Sequence, residues 1–212
     1  MPPEPDQSVF PHPLLTGREA GLDTDFDLVR FEATDFSRGH LEGGSFLECT
    51  LVGCVLDDVH LEATRWSECR WERAHGAGVH LARASLADLA IEGSRLAAVA
   101  AGGSTWRDVT VRASRIDFLN LRGARLKDVR FVDCVVSELD LSEATVDGLV
   151  FDGCTLVEPE FGKGSYAGLD LSGATLRAPR GVASLKGATV SRVQLLDLAE
   201  PLAAELGLRV TD

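Results

Sequence analysis

Several features that mark an enzyme or a membrane protein are missing from this 212-residue chain. It contains no glycine-rich phosphate loop, no HExxH pair and no G-x-S-x-G turn, which are the common motifs of nucleotide-binding proteins, metalloproteases and serine hydrolases. No stretch approaches the roughly 18 apolar residues that a membrane-spanning helix needs. We therefore expect no catalytic residues, no cofactor and no enzymatic activity.

Positive charge is also scarce, since 21 Lys and Arg face 33 Asp and Glu, for a net charge of −12. Residues 1–75 hold 15 acids and 6 bases (−9), residues 76–130 hold 5 acids and 9 bases (+4), and residues 131–212 hold 13 acids and 6 bases (−7). The chain lacks the dense basic patch of a nucleic-acid-binding protein, so direct nucleic-acid binding is disfavoured. Its field favours a basic protein surface as partner.

The chain does carry a large apolar residue at almost every fifth position. Thirty-one positions step by five from Phe26 to Leu176, and among them only Gly76 and Ala101 are not large and apolar. A smaller apolar residue stands two places earlier in most units, as Cys49 does. Neither a 3.6-residue helix nor an alternating strand has this spacing. A fixed short period is typical of a solenoid, here one that turns a corner every five residues.

This repeat resembles the pentapeptide-repeat family, whose loose consensus is Ala-(Asp/Asn)-Leu-x-x. Close matches are Leu-Asn-Leu-Arg-Gly at 119–123, Leu-Asp-Leu-Ser-Glu at 139–143 and Leu-Asp-Leu-Ser-Gly at 169–173. The resemblance implies an all-β solenoid, a right-handed quadrilateral β-helix with four pentapeptides per coil and about eight coils. Residues twenty apart then stack in columns at the ~4.8 Å spacing of paired strands.

The chain divides into three segments on this pattern. Residues 1–23 hold five of the eight prolines and are predicted to form an extended arm that caps the first coil. Residues 24–190 form the β-helix, with a register break near 177–184. Residues 191–212 form a short C-terminal α-helical cap, with a helix over 194–207 that Gly207 ends. Pro201 is expected to kink or split this helix, and Leu208 and Val210 to form a short strand.

The C-terminal helix has two interpretations. A solenoid end exposes unpaired backbone and core, so the helix is required as a cap. The resemblance also implies end-to-end homodimerisation through such a tail. The candidate dimer interface is then the helix face formed by Leu195, Leu198, Leu202 and Leu206.

One column of the predicted coils is acidic over five successive units. Its members are Glu48, Glu68, Asp88, Asp108 and Asp128, and we call this column the acidic ladder. In one interpretation the carboxylates are neutralised by Arg65, Arg107, Arg125 and Lys127 on the same face, or they accept hydrogen bonds from corner amides. In the other they offer a line of negative charge to a basic groove.

Histidines and cysteines also fall into columns. His40, His60 and His80 stack one per coil, but ligands in a straight row do not converge tetrahedrally, so no metal site is expected. All five cysteines occupy the small inward position, where we expect inert, reduced thiols rather than disulfides. They are Cys49, Cys54, Cys69, Cys134 and Cys154.

One coil contains Trp66, Trp71 and Gly76 together. Protein interiors pack to crystal-like density, so two indoles need a neighbour that gives up volume. The glycine is interpreted as that neighbour.

The resemblance also carries a functional hypothesis. Several pentapeptide-repeat proteins with an acidic rod and a helical tail mimic duplex DNA and bind type II topoisomerases, where they inhibit DNA gyrase or protect it from quinolones and related toxins. It implies the same role here, antibiotic resistance by DNA mimicry. The alternative is a generic protein-binding scaffold or a structural solenoid unrelated to topoisomerases. The N-terminus lacks a basic and then apolar signal sequence, so a cytoplasmic location is expected.

Overall fold

A computed structural model describes residues 14–15 and 24–209 of the chain. These residues form a parallel β-solenoid of about eight turns that ends in an α-helix, so the fold expected from the pentapeptide-repeat resemblance is confirmed. Most of the predicted N-terminal arm lies outside the described residues, as does Val210. The pair Leu14–Leu15 forms a short strand parallel to Arg30 and Phe31.

Short strands form the first half of the solenoid. They are β1 (Leu14–Leu15), β2 (Asp25–Asp27), β3 (Arg30–Glu32), β4 (Ser45–Leu47), β5 (Thr50–Val52), β6 (Val59–His60), β7 (Arg65–Ser67), β8 (Arg70–Glu72), β9 (His75–Gly76) and β10 (Val79–His80). Longer strands that run through the corners form the second half. They are β11 (Ser85–Glu92), β12 (Arg95–Ala100), β13 (Thr105–Arg112), β14 (Arg115–Asn120), β15 (Arg125–Val132), β16 (Val135–Asp140), β17 (Thr145–Val157) and β18 (Ser165–Arg177).

Each coil pairs with the next at an offset of twenty residues, as the pattern predicts. Phe46 pairs with Trp66, Leu86 with Trp106, and Val146 with Tyr166. All thirty-one positions of the large column are buried except Gly76 and Leu176, which are partly exposed. The core is therefore a continuous stack of apolar side chains along the axis of the solenoid.

The corners of the first coils require an unusual backbone conformation. Residues with positive φ recur at every fifth position, namely Leu28, Ala33, Arg38, Gly43, Glu48, Gly53, Asp58, Ala63, Glu68 and Arg73. In this left-handed conformation the corner N–H reaches the next coil, as when Glu48 N donates to Ser67 O at 2.9 Å. The conformation costs a non-glycine residue about 1–2 kcal/mol. The hydrogen bond between coils offsets part of that cost.

The register changes after β18. Glu160 still pairs with Arg180 at an offset of twenty residues, whereas Asp170 pairs with Thr189 at an offset of nineteen. Between them the chain passes through Gly181 in the left-handed conformation and a 3₁₀ turn over Val182–Ser184. The partial coil that follows still packs Ala188 and Val190 against the core.

The helix α1 (Arg192–Glu205) then closes the solenoid. It begins at a capping box in which Ser191 and Gln194 exchange hydrogen bonds. It continues through Pro201 without splitting, and Gly207 follows its end with a φ of 70°. Leu208 lies in no strand. Within the described residues no helix has the length and apolar character needed to cross a membrane.

The reason for Gly76 differs from the sequence interpretation. Trp66 stacks on Phe46 at 3.8 Å between ring centroids and meets Trp71 edge-on at 5.0 Å, so the indoles are accommodated by each other and by the preceding coil. A Cβ at position 76 would instead lie 2.6 Å from the carbonyl oxygen of Leu56 and 2.8 Å from its carbonyl carbon. The glycine allows a close approach of two backbones.

We expect Gly76→Ala to lower the free energy of unfolding by about 1–3 kcal/mol. The added Cβ meets backbone atoms, which cannot rotate away, whereas one methyl group is too small to crowd the indoles. Thermal denaturation followed by circular dichroism measures the loss. Gly78→Ala in the same coil is the matched control, because a Cβ there meets nothing closer than 3.6 Å. Equal stability of the two variants would contradict the backbone explanation.

Candidate functional site

The acidic ladder occupies one edge of the solenoid, and all five of its carboxylates are corner residues. Their φ angles lie between 51° and 54°, and all five residues are exposed. The strands on either side pair in register, so the corners stack from coil to coil. The column begins with Leu28 and continues beyond the carboxylates with Gly148, which also has a positive φ. Asp and Gly adopt this conformation more readily than most residues, so the corner geometry accounts for part of the column's composition.

Neutralisation of the ladder is confined to its middle. Arg107 lies 3.9 Å from an Asp88 carboxylate oxygen and 3.6 Å from an Asp108 oxygen. About half of each side chain is exposed, and such ion pairs contribute little stability. Within residues 24–209 no ion pair involves the other charged groups of this edge, which are Glu48, Glu68, Asp128, Arg65, Arg125 and Lys127.

The helix residues proposed as a dimer interface are divided between two environments. Leu198 is buried, 3% exposed, and Leu202 is partly buried, so both pack against the end of the solenoid. Leu195 and Leu206 are exposed. Five of the eight exposed large apolar residues among those described lie at this end of the chain, namely Val193, Leu195, Leu196, Leu206 and Leu208. We call these five residues the apolar tail face.

Two polar residues that the sequence interpretation missed attach the helix to the solenoid. The Gln194 amide donates to the carbonyl oxygens of Leu171 and Ala174, both at 2.6 Å. The Glu205 carboxylate accepts from the backbone N–H groups of Val182 and Ala183, at 3.1 and 2.8 Å. These bonds satisfy backbone groups that the last coil leaves unpaired. The Ser-x-x-Gln sequence at 191–194 was the available signal, because it matches a capping box.

The histidine column is stacked as predicted, but carboxylates from neighbouring columns join it. The His40 and His60 rings lie 4.7 Å apart at 10°, and the His60 and His80 rings lie 4.7 Å apart at 7°. His40 Nδ1 is 3.0 Å from Glu42, and His80 Nε2 is 3.0 Å from Asp58. The Glu42 carboxylate raises the pKa of His40, and the contact with His80 lowers the pKa of Asp58.

All five cysteines are buried and free in the structure. Cys49 N–H points at Cys69 Sγ at 3.3 Å, and Cys134 N–H points at Cys154 Sγ at 3.4 Å, so these pairs stack as the register requires. Burial raises the pKa of the Cys54 thiol. The environment of these thiols is that of small core residues.

No family model matches the chain, and no curated protein matches it. Solved structures of QnrB1, described as a plasmid-mediated fluoroquinolone resistance protein, do match. A trypsin-treated variant is 15% identical, with 94% of this chain and 96% of that chain covered and a TM-score of 0.36. The full-length protein is 13% identical, with 93% and 100% covered and a TM-score of 0.30. We draw no functional argument from a likeness at this level.

Proposed function

We propose that this protein is a non-enzymatic, cytoplasmic interaction protein whose acidic ladder binds a basic groove on a protein partner. We further propose that the groove is the DNA-binding groove of a type II topoisomerase such as DNA gyrase. The protein would then act as a DNA mimic that inhibits the enzyme or protects it from quinolone-type toxins. The observation that supports this proposal is the row of exposed corner carboxylates on one edge of the solenoid.

The spacing of the ladder suits a groove built for a nucleic acid. Successive corners are one strand spacing apart, about 4.8 Å, whereas one DNA strand carries a phosphate every ~3.4 Å. The edge therefore has roughly two thirds of the linear charge density of one DNA strand and about one third of that of the duplex. Because the carboxylates are fixed to paired coils, they are held in a line without an ordering cost when a partner binds.

A generic protein-binding scaffold remains the second candidate, and the basic middle of the chain favours it. Arg107 bridges Asp88 and Asp108, and Arg125 and Lys127 flank the same edge. A partner that requires continuous negative charge would contact these basic side chains in the middle of the ladder. The Glu48 end of the ladder is then the part best suited to a basic groove.

The apolar tail face leads to a second proposal, that two copies associate end to end through α1. Val193, Leu196 and Leu208 are 68%, 73% and 62% exposed, although they lie beside a well-packed solenoid end. Several exposed apolar side chains at one end of a molecule are typical of association surfaces. A two-fold arrangement of tails would bury part of this apolar surface and leave the acidic edges free.

The charge proposal predicts that a variant combining Glu48→Gln, Glu68→Gln and Asp128→Asn inhibits gyrase about tenfold or more weakly. The neutral amides keep the shape of the side chains but remove the negative charges that would attract a basic groove. None of these side chains forms an ion pair among the described residues, so the fold should be retained. A supercoiling assay, with and without a quinolone, measures the effect at two salt concentrations. The difference between variant and wild type should shrink at high salt.

The matched control changes Asp133→Asn, Glu143→Gln and Glu158→Gln. These are also acidic corner residues with positive φ, but they belong to other columns. Glu143 and Glu158 also form ion pairs with Arg122 and Arg180, so circular dichroism of the control checks that its fold is retained. The control alters the net charge equally and should change inhibition by less than about twofold. Equal effects of the two triple variants would refute the proposal that the acidic ladder is the binding surface. No effect of a large excess of wild-type protein on gyrase would refute the topoisomerase proposal and leave the scaffold.

The dimer proposal predicts that Leu196→Glu converts the protein to a monomer, because a buried carboxylate would be placed at the association surface. Sedimentation equilibrium over a range of concentrations measures the mass. Phe118→Glu is the control, since Phe118 is an exposed apolar residue on the side of the solenoid. A wild-type protein that is monomeric at all concentrations would contradict the proposal.

A further inference from the structure

Two residues of the histidine column lie close to a carboxylate outside the column, so the possible metal ligands here are not all in a straight row. Asp58, His60 and His80 each present one ligand atom, and these atoms lie within 4.8 Å of one another. We propose that these three residues bind a divalent transition-metal ion of the Zn²⁺ class on the surface of the solenoid. Two imidazoles and one carboxylate suit Zn²⁺, Co²⁺, Ni²⁺ or Cu²⁺ rather than Mg²⁺ or Ca²⁺.

The donor atoms of Asp58, His60 and His80 lie close to the spacing of a tetrahedral zinc site. Zinc lies about 2.0–2.1 Å from imidazole and carboxylate ligands, so donors of a tetrahedral site are about 3.3 Å apart. His80 Nε2 and Asp58 Oδ1 are already 3.0 Å apart. The His60 nitrogen has to approach by about 1.5 Å at most, through rotation of a side chain that is 30% exposed. Because the His60 and His80 rings are stacked at 7°, both rings also have to turn so that their nitrogens point at one ion. The carboxylate already approaches from the side of the column.

The backbone holds the three residues in place. His60 and His80 are paired residues of the neighbouring strands β6 and β10. Asp58 is a left-handed corner residue with a φ of 53°. The residue stacked one coil beyond it is Gly78, where a Cβ would lie 3.7 Å from His80 Nε2. The glycine leaves the space beside the donor atoms open.

The carboxylate of Glu62 contacts the His60 ring at Nδ1, the nitrogen that would not bind the metal. Glu62 Oε1 lies 3.4 Å from His60 Nδ1, and such a contact leaves Nε2 as the nitrogen that faces a metal. Metal-bound histidines commonly donate their other N–H to a carboxylate. A proton fixed on His60 Nδ1 would be donated to Glu62 Oε1.

An overlapping set, formed by His40, Glu42 and His60, also brings its donor atoms within 4.8 Å. The His40 side chain is 71% exposed and that of His80 is 35% exposed, whereas the carboxylate side chains of Glu42 and Asp58 are 45% and 64% exposed. Ordering the more exposed histidine and the longer of the two carboxylate side chains costs more conformational entropy. The Asp58 set is therefore the better site, and the two sets exclude each other because they share His60.

The test is titration of the full-length protein, prepared without a histidine tag, with Zn²⁺ in a calorimeter and with Co²⁺ in an absorption spectrometer. We expect one ion per chain and intense visible Co²⁺ bands, which indicate four-coordinate geometry. Asp58→Asn and His80→Gln should each weaken Zn²⁺ binding by about tenfold or more. His40→Gln is the matched control and should change the affinity by less than about threefold. Circular dichroism of each variant checks that the fold is retained.

Three outcomes would overturn the proposal. One is no saturable Zn²⁺ binding by the wild-type protein. Another is retention of wild-type affinity in folded His80→Gln or Asp58→Asn. The third is a larger loss in His40→Gln than in His80→Gln, which would place the ion in the overlapping set.

Discussion

The structure depends on the parallel pairing of every coil with the next at an offset of twenty residues. This pairing satisfies the backbone groups of short strands that could not be stable alone, because each coil uses the hydrogen bonds of its neighbours. It also forces every position of one coil to repeat at about 4.8 Å in the next. The apolar core, the left-handed corners, the acidic ladder and the histidine column all result from this repetition. A shift of one residue, as at Asp170 and Thr189, ends the regular coils.

The same repetition produces a conflict at the surface, because identical charges are brought close together wherever a column has one sign. In a core this would be intolerable, but the ladder carboxylates are exposed corner residues in water of high dielectric constant. Arg107 relieves the repulsion between Asp88 and Asp108, and no ion pair within residues 24–209 does so at Glu48 or Glu68. A basic partner would bring opposite charge to this edge on binding.

The columns could be predicted from the sequence, because burial alone sets a five-residue period and the period fixes which residues stack. Contacts between residues of different columns could not be predicted from the sequence. The sequence interpretation included Leu198 in the candidate dimer interface, and in the structure this side chain is buried in the core at the end of the solenoid. It attributed Gly76 to indole volume, whereas the backbone of Leu56 is the obstacle. Both depend on local chain direction, which a hydrophobic pattern does not encode. Val193, Leu196 and Leu208 of the apolar tail face and the Gln194 and Glu205 attachments were also missed.

Contacts between columns also explain how so regular a fold acquires specific chemistry. A column by itself presents copies of one group in a straight row, which suits neither a metal nor a catalytic pair. A corner residue, however, has a backbone turned out of the strand, so Asp58 reaches the donor nitrogen of His80 in the next coil. A specific site on a solenoid of this kind is therefore expected where a polar corner residue lies next to a column of side chains that can bind.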